Sequence, residues 1–167
     1  MSTVTGSDRS RGSNGRNDGL ADAVLTASRV LVAVAARSLA EHESAVSLPQ
    51  YRALVVLASR GPQRPVDLAH ALGVDPSTAT RMCDRLARKR LINRRRDMTD
   101  RRVVVMDLSA SGRRLVESVT ERRRREIDRI LDAVDPTERT NLVRAFAIFG
   151  AAAGEIPEAD WERSWAL

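Results

Sequence analysis

The stretch Val74–Ile92, VDPSTATRMCDRLARKRLI, decides how this chain is read. Asp75 followed by Pro76 is a helix start, because Asp is a favoured N-cap and the fixed φ of Pro suits the first helical position. Beyond it Ala79, Met82, Cys83 and Leu86 recur at three- and four-residue steps and form one apolar stripe. Ser77, Thr78, Thr80, Arg81, Asp84, Arg85 and Arg88 make the opposite face polar and basic, the kind of face that meets base edges in a major groove. A short helix is predicted over 65–72, with Val66, Leu68, Ala69, Leu72 and Val74 inward, and Gly73 in the turn that follows. Two helices joined by a Gly-containing turn make a helix-turn-helix, whose second helix, about 75–89, is the reading helix.

Outward from this pair, Leu91-Ile92-Asn93 and Val103–Leu108 are β-prone and flank a charged loop, so residues 91–108 are predicted to form a hairpin wing. Residues 48–109 then make a winged helix-turn-helix, with Pro49 opening its first helix and Gly61-Pro62 stopping it. The flanks are helical. Residues 20–47 carry Val24, Leu25, Ala27, Val30, Leu31, Val34, Ala35 and Leu39 at helical spacing. Ser109 and Asp135-Pro136 start two further helices within 110–154, the second with an apolar face of Leu142, Val143, Phe146, Ala147 and Phe149. The apolar surface of these flanks exceeds what one small lobe can cover. Residues 1–19 are too polar to offset ordering and are read as a disordered arm. Residues 155–167 form a tail in which Trp161 and Trp165 anchor against a dimer. The expected fold class is mainly α with a small β-hairpin wing.

The charge is unevenly placed. Arg81 to Arg102 holds ten basic residues and three acids, so its +7 exceeds the +6 of the whole 167-residue chain and leaves the remainder nearly neutral. One basic patch on a neutral body is the footprint of a phosphate-backbone binder, and double-stranded DNA is the expected partner. Gly-rich phosphate loops, nucleophile elbows and metal-ligand spacings are missing from the sequence, so an enzyme is not expected, nor a cofactor. Glu41-His42-Glu43 with His70 lacks the spacing of a metal site. Cys83, the single cysteine, falls on the apolar stripe as a small core residue, with a thiol switch as the other reading. The Arg122–Arg125 run encircles a helix and is read as solvated or paired. Asp22, Arg29 and Arg37 interrupt the apolar run from Leu20 to Ala40, and residues 1–19 lack a secretory signal. A cytoplasmic protein without a membrane span is expected.

The residues VDPSTATRMCDRLARKRLI, followed by RRRDMTDRRVVVMDLSASG at Arg94–Gly112 and ending in the Leu-Ser-x-x-Gly step of Leu108, Ser109 and Gly112, resemble the multiple-antibiotic-resistance regulator (MarR) family. The resemblance spans about residues 20–153 and implies a homodimer whose outer helices interleave above two winged lobes. It puts Ser77, Thr78, Thr80, Arg81 and Arg85 at the major groove. It puts Arg102 in the minor groove, oriented by Asp100, and makes Arg94, Arg95, Arg96 and Arg101 phosphate contacts or alternative wing tips. A narrow minor groove concentrates negative potential and attracts arginine, which supports the assignment on physical grounds. Arg90 stands where the family has Gly, which requires a non-Gly residue at positive φ or a different turn, and Met98 replaces a common Pro. The implied function is a dimeric regulator of transcription, a repressor on a pseudo-palindromic operator, released by a small aromatic or lipophilic effector. The alternative is an architectural protein that coats DNA with little sequence preference.

Overall fold

The computed structural model describes the backbone of residues 11–40 and 46–164 and the side chains of 18–40 and 46–161. Six α-helices and one hairpin follow in order: α1 Arg11–Ala40, α2 Leu48–Arg60, α3 Pro65–Leu72, α4 Pro76–Arg88, β1 Ile92–Arg96, β2 Val104–Leu108, α5 Ala110–Leu131 and α6 Pro136–Ala152. A short 3-10 helix, Glu158–Ser164, ends the described chain.

The core lies in the winged lobe. Tyr51, Leu54, Val56 and Leu57 of α2, Leu68 of α3, Met82, Cys83 and Leu86 of α4, Ile92, Met106 and Leu108 of the hairpin and Leu115, Val116 and Val119 of α5 form one buried cluster. The stripe expected on α4 is the buried one, Ala79, Met82, Cys83 and Leu86. On α3, Leu68 and Ala69 are buried but Val66 is 51% exposed, because an eight-residue helix turns only one narrow face to α2 and α4. The α3–α4 turn closes on Gly73 at φ 64°, whose amide donates to the His70 carbonyl, while Val74 donates to Ala69. These two bonds fix the angle between the helices.

Asp75 occupies the N-cap position of α4, yet its side chain makes no capping bond and its carbonyl alone accepts from Thr78 and Ala79. Ser47 does cap α2, in a reciprocal box with Gln50. At the other end of α4, Arg90 adopts φ 58°, its amide donates to Ala87 and the next amide, Leu91, donates to Leu86. This is the left-handed close that glycine ordinarily supplies, carried here by an arginine.

The hairpin pairs Ile92 with Leu108 through Arg96 with Val104, antiparallel. β1 thus runs three residues into the stretch expected as loop, since the ladder fixes only the backbone and long arginine stems extend from either face. Gln63 and Met106 exchange two backbone bonds of 2.9 and 2.7 Å and tie the hairpin to the chain after α2.

Where the hairpin ends, Ser109 donates its hydroxyl to the Arg90 carbonyl at 2.6 Å and accepts from the Gly112 amide at 3.0 Å. A Cβ at Gly112 would stand 2.0 Å from the Leu91 carbonyl oxygen, so only glycine lets the first turn of α5 cross there.

Outside the lobe two differences from the sequence reading stand out. α1 begins at Arg11, so residues 11–19 are helical rather than an arm, as expected once a nucleated apolar helix extends at little cost per residue; residues 1–10 lie outside the described part. By length and composition alone, Asp18–Ala40 is apolar enough to cross a bilayer, because its charges are too widely spaced to break the run. Its C-terminal half is nonetheless a core helix: Val34, Ala35, Ser38 and Leu39 are buried, and Arg37 pairs with Glu126 of α5 at 2.7 Å.

Two substitutions test the joint between α4, the wing and α5. Gly112→Ala is expected to destabilise the fold by more than about 2 kcal/mol through backbone displacement. Arg90→Gly is expected to stabilise it by about 1 kcal/mol or less, the left-handed penalty minus the added unfolded-state entropy. Urea titration followed by circular dichroism measures both.

Candidate nucleic-acid interface

The buried stripe of α4 orients the rest of that helix outward. Ser77, Thr80, Arg81, Arg85 and Arg88 are all exposed, and Thr78 is half-buried. The Thr80 hydroxyl donates back to the Pro76 carbonyl at 2.9 Å, and Arg81 donates to the Thr78 hydroxyl at 3.2 Å. The first of these bonds leaves Thr80 its acceptor lone pairs, and the second sets the Arg81 guanidinium alongside the start of the helix.

The wing divides its arginines into two groups. Arg94 is ion-paired with Asp84 of α4, and Arg95 with Asp107 of the adjacent strand at 2.9 Å. Arg94 therefore fastens β1 to α4, and Arg95 fastens the two strands. Arg96 reaches the Arg101 carbonyl at 3.3 Å. For Arg101 and Arg102 the structure gives no acid partner among the described residues, and both are exposed at the tip. The charge without an acid partner among the described residues is thus at the wing tip, at Arg96 where β1 ends, and on the outer face of α4.

Asp97 and Asp100 shape that tip. Asp97 accepts from the Thr99 amide at 2.8 Å, the Asp100 amide at 3.1 Å and the Thr99 hydroxyl. These donors hold its carboxyl below the ordinary Asp range, the Thr99 hydroxyl first. Asp100 accepts from the backbone amide of Arg102 at 2.9 Å. The acid of the Asp-x-Arg pair thus holds the arginine by its main chain, a different contact from the side-chain orientation expected from sequence, because the intervening turn places the amide nearest the carboxylate. Met98 is exposed beside it.

Cys83 is completely buried, and burial pushes its thiol up, with Arg94 nearby opposing. A buried thiol with a raised pKa is a packing residue, since reactivity requires exposed thiolate. His70 is exposed on α3, Glu41-His42-Glu43 lie outside the described residues, and among the described residues no group of three metal-ligating side chains occurs.

Residues 46–104, from the start of α2 to the start of β2, match the MarR family. The chain is 32% identical over 114 residues to the helix-turn-helix-type transcriptional regulator Mb0904 of Mycobacterium bovis, covering 68% of this chain and 80% of that protein. The crystal structure of RV1404 from Mycobacterium tuberculosis superposes with a TM-score of 0.79 at 43% identity, over 91% of this chain and 99% of that one. The chain belongs to the MarR family. It is a DNA-binding transcriptional regulator, and both the MarR family and these relatives are regulators rather than enzymes. MarR architecture extends to more distant proteins of the same fold: BpsR of Bordetella bronchiseptica, whose DNA binding is regulated by 6-hydroxynicotinic acid, superposes with a TM-score of 0.58 at 24% identity, over 78% and 91% of the two chains.

Asp97 gives this MarR wing a measurable pH dependence. A carboxyl whose folded pKa is lowered contributes order that is complete above its unfolded value, about 3.9, and is lost as pH falls through the lowered folded value. The tip is therefore expected to stay ordered throughout pH 5–8, with Asp97 titrating below the ordinary Asp value by NMR. Asp97→Ala is expected to speed amide exchange at Thr99 and Asp100 by about tenfold, roughly one lost pair of bonds.

Proposed function

We propose that this regulator works in the cytoplasm as a homodimer on a pseudo-palindromic operator and represses transcription from it. One observation carries the dimer. α6 buries no residue in its own chain, and Val143 (71% exposed), Ile148 (64%), Phe149 (54%) and Phe146 (50%) face outward together with Leu20, Leu25, Val30 and Val32 of α1. An apolar surface of this extent on a chain whose lobe is already fully packed is the mark of an interaction face. A second copy covers it most simply, since α1 and α6 of each copy offer the same apolar area to the other.

Two-fold symmetry then sets two reading helices about 34 Å apart, one turn of DNA. In this reading Ser77, Thr78, Thr80, Arg81 and Arg85 face the major groove, Arg102 and Arg101 reach the minor groove, and Arg96 contacts phosphate. Arg94 and Arg95, already paired, act as struts whose contacts with DNA follow only if those pairs exchange. A small aromatic or lipophilic molecule acting between helices and lobes would release the operator by favouring a different lobe spacing. The behaviour of BpsR, a protein of the same fold, supports that part.

The experiment is selection of bound sequences from a random duplex pool, followed by titration of the winner and of scrambled DNA at two salt concentrations. An inverted repeat with half-sites about one turn apart, bound at least about 10³ tighter than scrambled DNA, is expected. Salt-sensitive binding with no enriched motif would instead support the architectural alternative. On the selected site, Arg81→Ala is expected to relax preference within each half-site by about 1–3 kcal/mol, while Arg102→Ala weakens binding chiefly to A·T-flanked sites. Equal losses on all sequences would reassign both residues to phosphate contact.

A further inference from the structure

Among the described residues α6 buries no side chain in its own chain, yet the segment after it returns to the winged lobe. Gly154 turns the chain at φ 72°, and residues 155–161 run back along α2. Glu155 takes both terminal nitrogens of Arg52 in a two-pronged ion pair, and Arg60 donates to the Gly154 carbonyl at 3.3 Å. Trp161 packs half-buried on the core cluster, and its indole donates to the Ile156 carbonyl at 3.1 Å. That last bond matters because a Trp anchors without cost only where its N–H finds a partner. The sequence reading placed this tail against a dimer; the structure instead seats Trp161 on the lobe of its own chain, while Trp165 lies outside the described residues.

The path of the chain gives these contacts mechanical meaning. Val119 is the last residue of α5 in the core, and the helix then continues to Leu131 as an arm carrying the α6 turn. α1 packs beside this arm and Arg37 pairs with Glu126 part-way along it, so the end beyond that contact is what remains to be held. The tail ties the far end of the α5–α6 pair back to α2, and Glu158 stands 3.9 Å from Arg124 on the arm itself. α5, α6 and the tail thereby form a closed three-sided frame with one corner on the lobe.

We propose that residues 155–161 are a brace that fixes the lobe against the α5–α6 pair and so determines which half-site spacing the protein accepts, with Trp161 and Glu155 as positioning residues that touch no DNA. This rests on the dimer reading above. Spacing selectivity requires that two lobes resist rocking, because a lobe that rocks reaches neighbouring spacings at little cost. An exposed ion pair alone contributes modestly, so the indole is the main anchor and the Arg52–Glu155 pair its guide.

The test measures affinity of the full chain for the selected inverted repeat, for repeats with the spacer lengthened or shortened by one and two base pairs, and for an isolated half-site. The unaltered protein is expected to lose about tenfold or more per base pair of spacer change. Trp161→Ala is expected to flatten that profile to within about threefold while half-site affinity and cooperative melting persist. Glu155→Arg is expected to flatten it partly, and adding Arg52→Glu to restore it. An unchanged profile in Trp161→Ala, or losses at the half-site parallel to those at the repeat, would overturn the brace while leaving the dimer reading intact. A flat profile in the unaltered protein would overturn both.

Discussion

The crossing of α5 over the Leu91 carbonyl is the contact on which the rest of the structure depends. At that point the end of the reading helix, the start of β1, the end of β2 and the start of α5 meet within four residues of backbone on each side. Arg90 closes α4 in a left-handed turn, Ser109 bonds the Arg90 carbonyl through its hydroxyl and the Leu91 carbonyl through its amide, and Gly112 omits the Cβ that would collide there. Each hydrogen bond contributes only about 1 kcal/mol net. Their importance is geometric, because they set the angle between the reading helix and wing on one side and the helix that leaves the lobe on the other.

Charge is arranged around this joint by subtraction. The segment from Arg81 to Arg102 carries far more positive charge than the fold uses, and two of its arginines are consumed by Asp84 and Asp107 in building the wing. Among the described residues, Arg81, Arg85 and Arg88 on the outer face of α4 and Arg101 and Arg102 at the tip of the hairpin are left without an acid partner. A patch exposed in this way suits the negative potential of a DNA backbone, and binding through it is expected to weaken steeply with salt. Asp97 and Asp100, though negative, strengthen the arrangement by holding the tip's backbone so that Arg101 and Arg102 project from a fixed turn.

The sequence made the lobe legible wherever pattern and local chemistry agreed. The α4 stripe, the Gly73 turn and the Ser109 cap all follow from residue types at fixed offsets, while at Arg90 the sequence left a positive φ and a different turn both open and the structure has the positive φ. The Ser47-x-x-Gln50 capping box, two residues ahead of Pro49, is a local signal of the same kind. Val66 misled because an apolar residue on a one-and-a-half-sided short helix has no periodicity to place it. The main-chain role of Asp100 depends on a seven-residue turn whose shape no spacing rule dictates. The docking of Trp161 on α2 joins residues more than a hundred positions apart, and such a contact leaves no local trace. For the outer helices the reverse holds: their apolar faces are plain in the sequence, and the structure of one chain leaves uncovered those of α6 and of α1 ahead of Val34.

The most direct test of the account is the distance between the two reading helices in solution. A nitroxide attached at Lys89→Cys, at the C-terminal end of α4 and outside the proposed groove contacts, in a chain whose buried Cys83 is replaced by Ala, reports that distance by pulsed dipolar spectroscopy, with and without the selected duplex. A single narrow distribution near about 34 Å on DNA is the expected result, since two-fold symmetry must match one helical turn. Absence of dipolar coupling, or a distance unrelated to the helical repeat, would contradict a dimer built on α1 and α6 that reads two successive grooves.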